Sequence, residues 1–490
     1  MDVRTCGRLA ATERVRDFGV AEVAIEAKHH GGTLVGWQPA KQAPGLVGVR
    51  HVPGRVVVVA GKGNNGADGR AAATQLEGRG VRCTVIDAAA APAVLPRADL
   101  VIDAAYGTGF RGTYEAPAPA DPDTAVLAVD IPSGIDGITG AASGRPLAAT
   151  RTVTFAAWKP GLLLGEGAGL AGDVEVADIG LDPSGARAWR VTADDVAAWL
   201  PARERSTHKW KAAAWLIAGS PGMTGAGRLA AASAMRSGAG YLRVSTPGAG
   251  TEVDAPVEAV VSPVGEAWAD EVLAQLDRFR AIGIGPGLGA DDAIADEVRH
   301  LVSGSKVATV VDGDGLRALG AAAATVIRGR GPDAPLVVLT PHDGEFAALD
   351  GAAPGADRFA AVRGLARATG AVVLLKGPAT LIADPEGSVL VADQGDARLA
   401  TAGSGDVLTG LTGSYLNAMA IRLTNNVLQA YVYWVGGSTT YELLTPVAMH
   451  SLASIFPTYY GASFVRYLSY NPKTHALMGN GSITGAITWI

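Results

Sequence analysis

The chain has 490 residues, 48% hydrophobic and 18% charged, with 41 basic against 47 acidic side chains and only two cysteines. That length exceeds one ordinary domain and predicts at least two, each large enough to bury a core. The acidic balance argues against nucleic acid or a membrane surface as partner, and two cysteines exclude a disulfide framework.

The N-terminus, MDVRTCGRLAATERVRDF, lacks a signal-type apolar core, and no long uncharged apolar run follows. The cytoplasm is therefore the expected compartment. A homo-oligomer is compatible with this composition.

Residues 55–61, RVVVVAG, form a short apolar run rich in β-branched residues, which reads as a buried parallel strand. A glycine-rich turn, a helical stretch and a second strand, VRCTVIDAA, complete a βαβ unit. LVIDAAYGTG and TAVLAVDIPSG repeat the design: an apolar strand, then a polar loop. A second series begins near Ala213 with AAWLIAGS, YLRVSTPG, AIGIGPGLG, ATVVDGDG, PLVVLTPHDGE and AVVLLKGPAT. The fold class is α/β, with two parallel sheets covered by helices and a site at the carboxyl ends of the strands in each. The domains are expected at 1–200 and 201–457, parted near the polar segment PARERST. Residues 458–490 form an atypical tail: seven of the eleven tyrosines and most asparagines lie after residue 420.

In the first domain, GKGNNGADG follows a strand. Its glycines permit close backbone approach, and the amides opening the next helix can hold phosphate. Asp103, Asp130 and Ser133 end two further strands. With Asn65 they supply hard oxygen ligands of the kind that suit an alkali or alkaline-earth cation, although each aspartate alone could be a helix cap. These motifs, with DAAYGTGFRG, VDIPSGIDG and TVTFAAWKPGLLLGEGAGLAGDVEVADIGL, together resemble the NAD(P)H-hydrate epimerases over about residues 50–185. The resemblance implies a Rossmann-like, three-layer domain. It implies that Asn64, Asn65, Gly66, Ala67 and Asp68 contact the hydrated cofactor. So would Gly107, Thr108, Gly109, Phe110, Arg111, Gly112 and Thr113. Asn65, Asp103 and Ser133 would surround a K+ ion, and Asp130 would bind substrate and take part in catalysis. Ala67 stands where family members carry glycine.

In the second domain, TAGSGDVLTG places small residues before a helix, which stacks amides into an anion hole beside Asp406. A carboxylate there can take a proton from a hydroxyl under attack on phosphate, so the loop alone points to phosphoryl transfer to an alcohol. Lys376 in KGPAT can meet phosphate. Asp312 and Asp314 in DGDG end a strand as in nucleotide enzymes. His342 and Glu345 in TPHDGE lack a third ligand for a metal site.

The series HK at 208–209, AGSPGMTGAGRLAAASAMRSGAGYL, GIGPGLG, DGDGL, LTPHDGEFAAL, LLKGPAT and LATAGSGDVLTG resembles the ADP/ATP-dependent NAD(P)H-hydrate dehydratases, which are ribokinase-like, three-layer proteins. The resemblance implies that Ala226, Gly287, His342 and Asp406 contact the hydrate, with Asp406 as base. Lys376, Gly377, Pro378, Ala379, Thr380 and Gly405 would hold ADP or ATP, with Mg2+. Trp210 stands where the family has a small residue. The implied partners are hydrated NADH or NADPH and the nucleotide. Two other readings suit the second domain: a kinase of a small hydroxymethyl, vitamin-like substrate, which would accumulate a stable phosphate ester, and a nucleotide-binding protein without turnover, indifferent to Asp406→Asn.

Overall fold

The computed structural model describes residues 54–199, 205–251, 253–395 and 397–419, with a hairpin of Leu468–Asn471 and Ala476–Gly479. The segment 201–204, residues 420–457 and the rest of the expected tail lie outside the described residues, as does Cys6. The chain divides into two compact units, Met1–Ala186 and Arg187–Ile490.

The first unit carries a six-stranded parallel sheet. Its strands are β1 (Arg55–Ala60), β2 (Arg82–Asp87), β3 (Leu100–Ala104), β4 (Ala125–Val129), β5 (Arg151–Phe155) and β6 (Asp173–Ala177), in the order β2-β1-β3-β4-β5-β6. The continuous apolar run of β1 follows from burial on both faces. Val56, Val58 and Ala60 pack with Ala72, Ala73 and Leu76 of helix α1 (Asn64–Gly78). Val57 and Val59 point the other way, into a cluster with Leu95, Val101 and Tyr114.

The second unit holds a ten-stranded sheet. Its strands in chain order are β7 (Ala188–Arg190), β8 (Ala213–Ile217), β9 (Tyr241–Ser245), β10 (Val260–Val261), β11 (Ala281–Ile284) and β12 (Ala308–Val311), then β13 (Val337–Leu339), β14 (Val372–Leu375), β15 (Thr380–Ala383) and β16 (Val389–Ala392). The spatial order is β10-β9-β8-β11-β12-β13-β14-β15-β16-β7. From β10 to β14 the pairs are parallel, while β14, β15 and β16 pair antiparallel through tight turns. A purely parallel sheet was expected; the loop of KGPA and the turn at Pro385–Gly387 are too short for the crossover that parallel pairing requires.

The boundary also differs from the expected break near residue 200. β7 pairs with β16 of the second sheet, so residues 188–199 belong with the second unit. Trp210 packs against Tyr241, with ring centroids 4.4 Å apart and the planes tilted by 34°, and the Arg278 guanidinium stands 4.0 Å from its ring centre. The large side chain is thereby accommodated within an aromatic cluster that includes Phe279. Among the described residues no helix is long and apolar enough to cross a membrane.

Candidate functional sites

In the first unit three of the four glycines of GKGNNGADG, Gly61, Gly66 and Gly69, are needed for packing. A Cβ at Gly61 would stand 1.9 Å from the Ala105 carbonyl oxygen, one at Gly66 1.9 Å from that of Gly61, and one at Gly69 2.4 Å from the Ala104 Cβ. Helix α1 can therefore lie directly on the ends of β1 and β3, with Asn64, Asn65, Gly66, Ala67 and Asp68 in its first turns. Ala67 is exposed and helical, and it does not take a positive φ. A Cβ there meets no backbone penalty.

Asp103 ends β3 almost wholly buried. Its partners are uncharged: the Ser133 hydroxyl donates to Oδ1 at 2.6 Å, the Ser133 amide to Oδ2 at 2.8 Å and the Ala105 amide to Oδ1 at 3.4 Å. Burial pushes the Asp103 carboxyl above the usual range, opposed by these hydrogen bonds. The Asn65 Nδ2 is buried without a hydrogen-bond partner. A buried carboxyl with only neutral donors, beside a hydroxyl, is a setting that a monovalent cation with oxygen ligands would suit.

Asp130 follows β4 in the left-handed region, at φ 72°. The loop from Gly107 to Thr113 runs from β3 to the strand pair Tyr114–Glu115 and Gly144–Arg145. Gly107 lies between two expected site residues: a Cβ added there would be 3.3 Å from Asp130 Oδ2 and 3.6 Å from Asn65 Oδ1. Phe110 stacks on Tyr106 at 4.2 Å, Thr108 faces Gly137, and Gly109, Arg111, Gly112 and Thr113 are exposed. The structure thus brings Asn65, Gly107 and Asp130 together, and Asp103 with Ser133. Sequence reasoning missed Lys159, whose Nζ pairs with Asp130 Oδ1 at 2.7 Å.

The second unit gathers its site where β12, β13 and β14 end against helix α7; the helices that matter here are α2 (Gly225–Ser237), α3 (Asp292–Gly304), α4 (Asp314–Leu319), α5 (Asp343–Asp350), α6 (Arg358–Thr369) and α7 (Ser404–Met419). Asp312, just past β12, is buried and central. It accepts from Thr340 Oγ1 at 2.7 Å, from Lys376 Nζ at 2.9 Å and from Thr409 Oγ1 at 2.9 Å. Lys376 also lies 3.4 Å from Glu345 Oε2. Burial pulls the Lys376 ammonium down, but Asp312 and Glu345 outweigh it and leave it raised.

His342 caps α5 through Nδ1, which accepts from the Gly344 and Glu345 amides at 3.0 and 3.3 Å, while Glu345 Oε2 accepts from the His342 amide at 2.9 Å. The imidazole itself is exposed.

Asp406 sits half-buried in the first turn of α7, after Gly403 at φ 92°. Burial, then the nearby Asp312 and Asp314 charges, push its carboxyl up to about 6, with Lys376 pulling the other way. A Cβ on Gly405 would stand 3.4 Å from Asp312 Oδ2 and 3.5 Å from Lys376 Nζ, which places the helix start in contact range of this ion pair. Helix α7 is seated on α2, where a Cβ on Gly410 would meet the Ala230 carbonyl oxygen at 1.9 Å. Gly287, at φ 67°, lies against Ala226, the Cβ positions being 3.1 Å apart.

Gly377 and Pro378 are exposed, whereas the Ala379 and Thr380 side chains are buried and Thr380 Oγ1 donates to the Gly377 carbonyl at 3.4 Å. This turn therefore offers its backbone outward, while the Lys376 ammonium is turned toward Asp312 and Glu345. Arg358, held by Asp343, also donates to the Lys376 carbonyl at 3.0 Å. Thr340, Thr409 and Arg358 were not singled out from the sequence. Thr409 had a signal: it stands three residues after Asp406, on the same helical face. Arg358 had none.

Residues 214–441 match the family described as NAD(P)H-hydrate dehydratase, and residues 87–161 match the YjeF-related protein N-terminus. The bifunctional NAD(P)H-hydrate repair enzyme Nnr of Moorella thermoacetica is 36% identical over 425 residues, covering 74% of this chain and 79% of that protein. The protein of the same name from Mycobacterium tuberculosis is 38% identical over 410 residues, covering 78% of this chain and 82% of that protein. Among solved structures, the ADP/ATP-dependent NAD(P)H-hydrate dehydratase from Bacillus subtilis, co-crystallised with ATP/Mg2+, is 31% identical over 55% of this chain and 95% of its own, with a TM-score of 0.44.

Proposed function

The chain belongs to the family of bifunctional NAD(P)H-hydrate repair enzymes, and from that premise we propose how its residues divide the work. The protein is an epimerase and an ADP- or ATP-dependent dehydratase of hydrated NADH and NADPH.

In the second unit, the S hydrate would lie between Ala226, Gly287, His342 and Asp406. The nucleotide would lie along Lys376, the turn Gly377–Thr380 and Gly405, entering with Mg2+. Asp406 takes the proton from the hydrate hydroxyl as that oxygen attacks the terminal phosphoryl group, and the nucleotide leaves one phosphate shorter. Hydroxide is a poor leaving group, whereas phosphate departs readily. The ring then gives up the proton on the adjacent carbon and regains its conjugated double bond.

In the first unit, the other epimer would be held by Asn64–Asp68, Gly107–Thr113 and Asp130. K+ would be held by Asn65, Asp103 and Ser133, where it would supply the positive charge that the uncharged partners of Asp103 do not. The two sites serve one end, since dehydration of the S epimer alone would strand the R epimer. We propose the cytoplasm as the compartment, where these cofactors and a two-cysteine chain are both at home.

One observation carries the catalytic assignment: Asp406 lies at the start of a helix against the Lys376–Asp312 pair, with its carboxyl pushed up to about 6. The assay is absorbance recovery from mixed hydrate epimers with ADP and with ATP. Wild type should recover all of the reduced cofactor, and Asp406→Asn should recover almost none. Persistence of both epimers in wild type would refute the reading. Recovery stopping near half would refute the epimerase assignment alone.

A further inference from the structure

Lys159 lies just beyond β5 and is almost enclosed, with 19% of its side chain exposed against 15% for Asp130. A buried ion pair repays its desolvation only when its hydrogen bonds are filled. Here the ammonium reaches three acceptors: Asp130 Oδ1 at 2.7 Å, Thr154 Oγ1 at 2.7 Å and the Phe155 carbonyl at 2.8 Å. Three donors meet three acceptors, which fixes the ammonium where it is.

The backbone around it is held against its preference. Asp130, at φ 72°, and Ala156, at φ 64°, are the non-glycine residues with positive φ among those described, and they follow the adjacent strands β4 and β5. Such a position is disfavoured for a residue with a Cβ and persists only where its surroundings dictate it. While Oδ1 is clamped, Oδ2 faces the Gly107 position, 3.3 Å from where a Cβ would stand, and Asn65 Oδ1 lies 3.6 Å from the same point.

We propose that Lys159 is the positioning residue of the first site: it clamps one oxygen of Asp130 and so presents the other to the hydrated ring at Gly107. This rests on the epimerase reading of the first unit. The ammonium does not touch substrate and acts through Asp130. A lysine that served folding alone would give a variant that melts earlier and turns over normally while folded.

The test uses the full chain with purified R hydrate and no nucleotide, so that epimerisation alone is followed by proton NMR. Lys159→Met should lose about 100-fold in kcat, with KM within about threefold, because a mis-aimed acid–base group costs the chemical step. Lys159→Arg should recover part of that loss. Asp130→Asn combined with Lys159→Met should be no slower than Asp130→Asn alone, the mark of two residues acting as one. Circular dichroism reports folding; if Lys159→Met does not fold, the same cycle is run with Lys159→Arg. A folded Lys159→Met as fast as wild type, or two losses that multiply in the double variant, would overturn the proposal while leaving the epimerase reading intact. Wild type that does not epimerise would instead overturn that reading and this proposal with it.

Discussion

The Asp406 carboxyl, pushed up to about 6, makes a quantitative demand on the dehydratase. If the ionised form is the base, about 90% of the protein is competent at pH 7, about half at pH 6 and about 10% at pH 5. kcat/KM at limiting hydrate should fall tenfold per pH unit below 6. The nucleotide phosphates also titrate near 6, so the decisive quantity is a difference between proteins. Asp312 is the second cause of the raised value, after burial. Asp312→Asn removes that neighbouring charge and should move the acid limb to lower pH, while the nucleotide limb stays in place.

Stability must move the other way. The fold holds the Asp406 proton more tightly than the unfolded chain does, so stability rises as pH falls through 6 toward the ordinary aspartate range. Fully expressed, the gap is worth ~3 kcal/mol; in a half-buried group, solvent screening leaves ~1 kcal/mol. Asp406→Asn should abolish this rise along with turnover. A wild-type plateau of kcat/KM extending to pH 4.5, or an unmoved acid limb in Asp312→Asn, would refute the assignment of Asp406 as a base tuned by its neighbours.

Three further outcomes follow. Gly69→Ala drives a Cβ to 2.4 Å from the Ala104 Cβ, overpacking α1 on β3 by about 1–3 kcal/mol, so epimerisation should collapse while nucleotide-dependent loss of the S hydrate continues. Ala67→Gly, at an exposed helical position, should lower stability by up to ~1 kcal/mol in thermal melts and bring no gain in epimerisation rate. Exchanging K+ for tetramethylammonium should slow epimerisation, and Ser133→Ala should raise the K+ concentration needed for half-maximal rate; a rate indifferent to the cation would remove K+ from the first site.

Much of this arrangement could be read in the sequence because strand ends carry their own punctuation. Apolar runs such as VVVV at 56–59 require burial on both faces, which fixes a parallel sheet, and the polar residues after each run then fall at one end of it. Asp103, Asp130, His342 and Lys376 were found by that logic, and Asp406 by the run of small residues that opens its helix. What stayed hidden depends on contacts distant along the chain. Asp312 meets Thr340, Lys376 and Thr409 across 28, 64 and 97 residues, and no local pattern announces which strand ends will be neighbours. Strand β7 was hidden for a related reason. Three residues in a polar stretch show no periodicity, and only the exposed edge of β16 makes them a strand.

The two carboxylates assigned to chemistry are treated in opposite ways, which follows from where each unit spends its lysine. In the first site Lys159 touches Asp130 itself, so that carboxylate is charge-paired and aimed. In the second, Lys376 is pulled toward Asp312 and Glu345, and Asp406 is left near two like charges and a burial cost that Lys376 offsets only in part. An acid whose proton is held near neutrality is suited to taking a proton from an alcohol and releasing it again within one turnover. Were Lys376 to contact Asp406 directly, the base would be too weak for that exchange. On the proposed assignment, the buried Asp312, by pairing with Lys376, is thus what keeps that ammonium from lowering the Asp406 carboxyl.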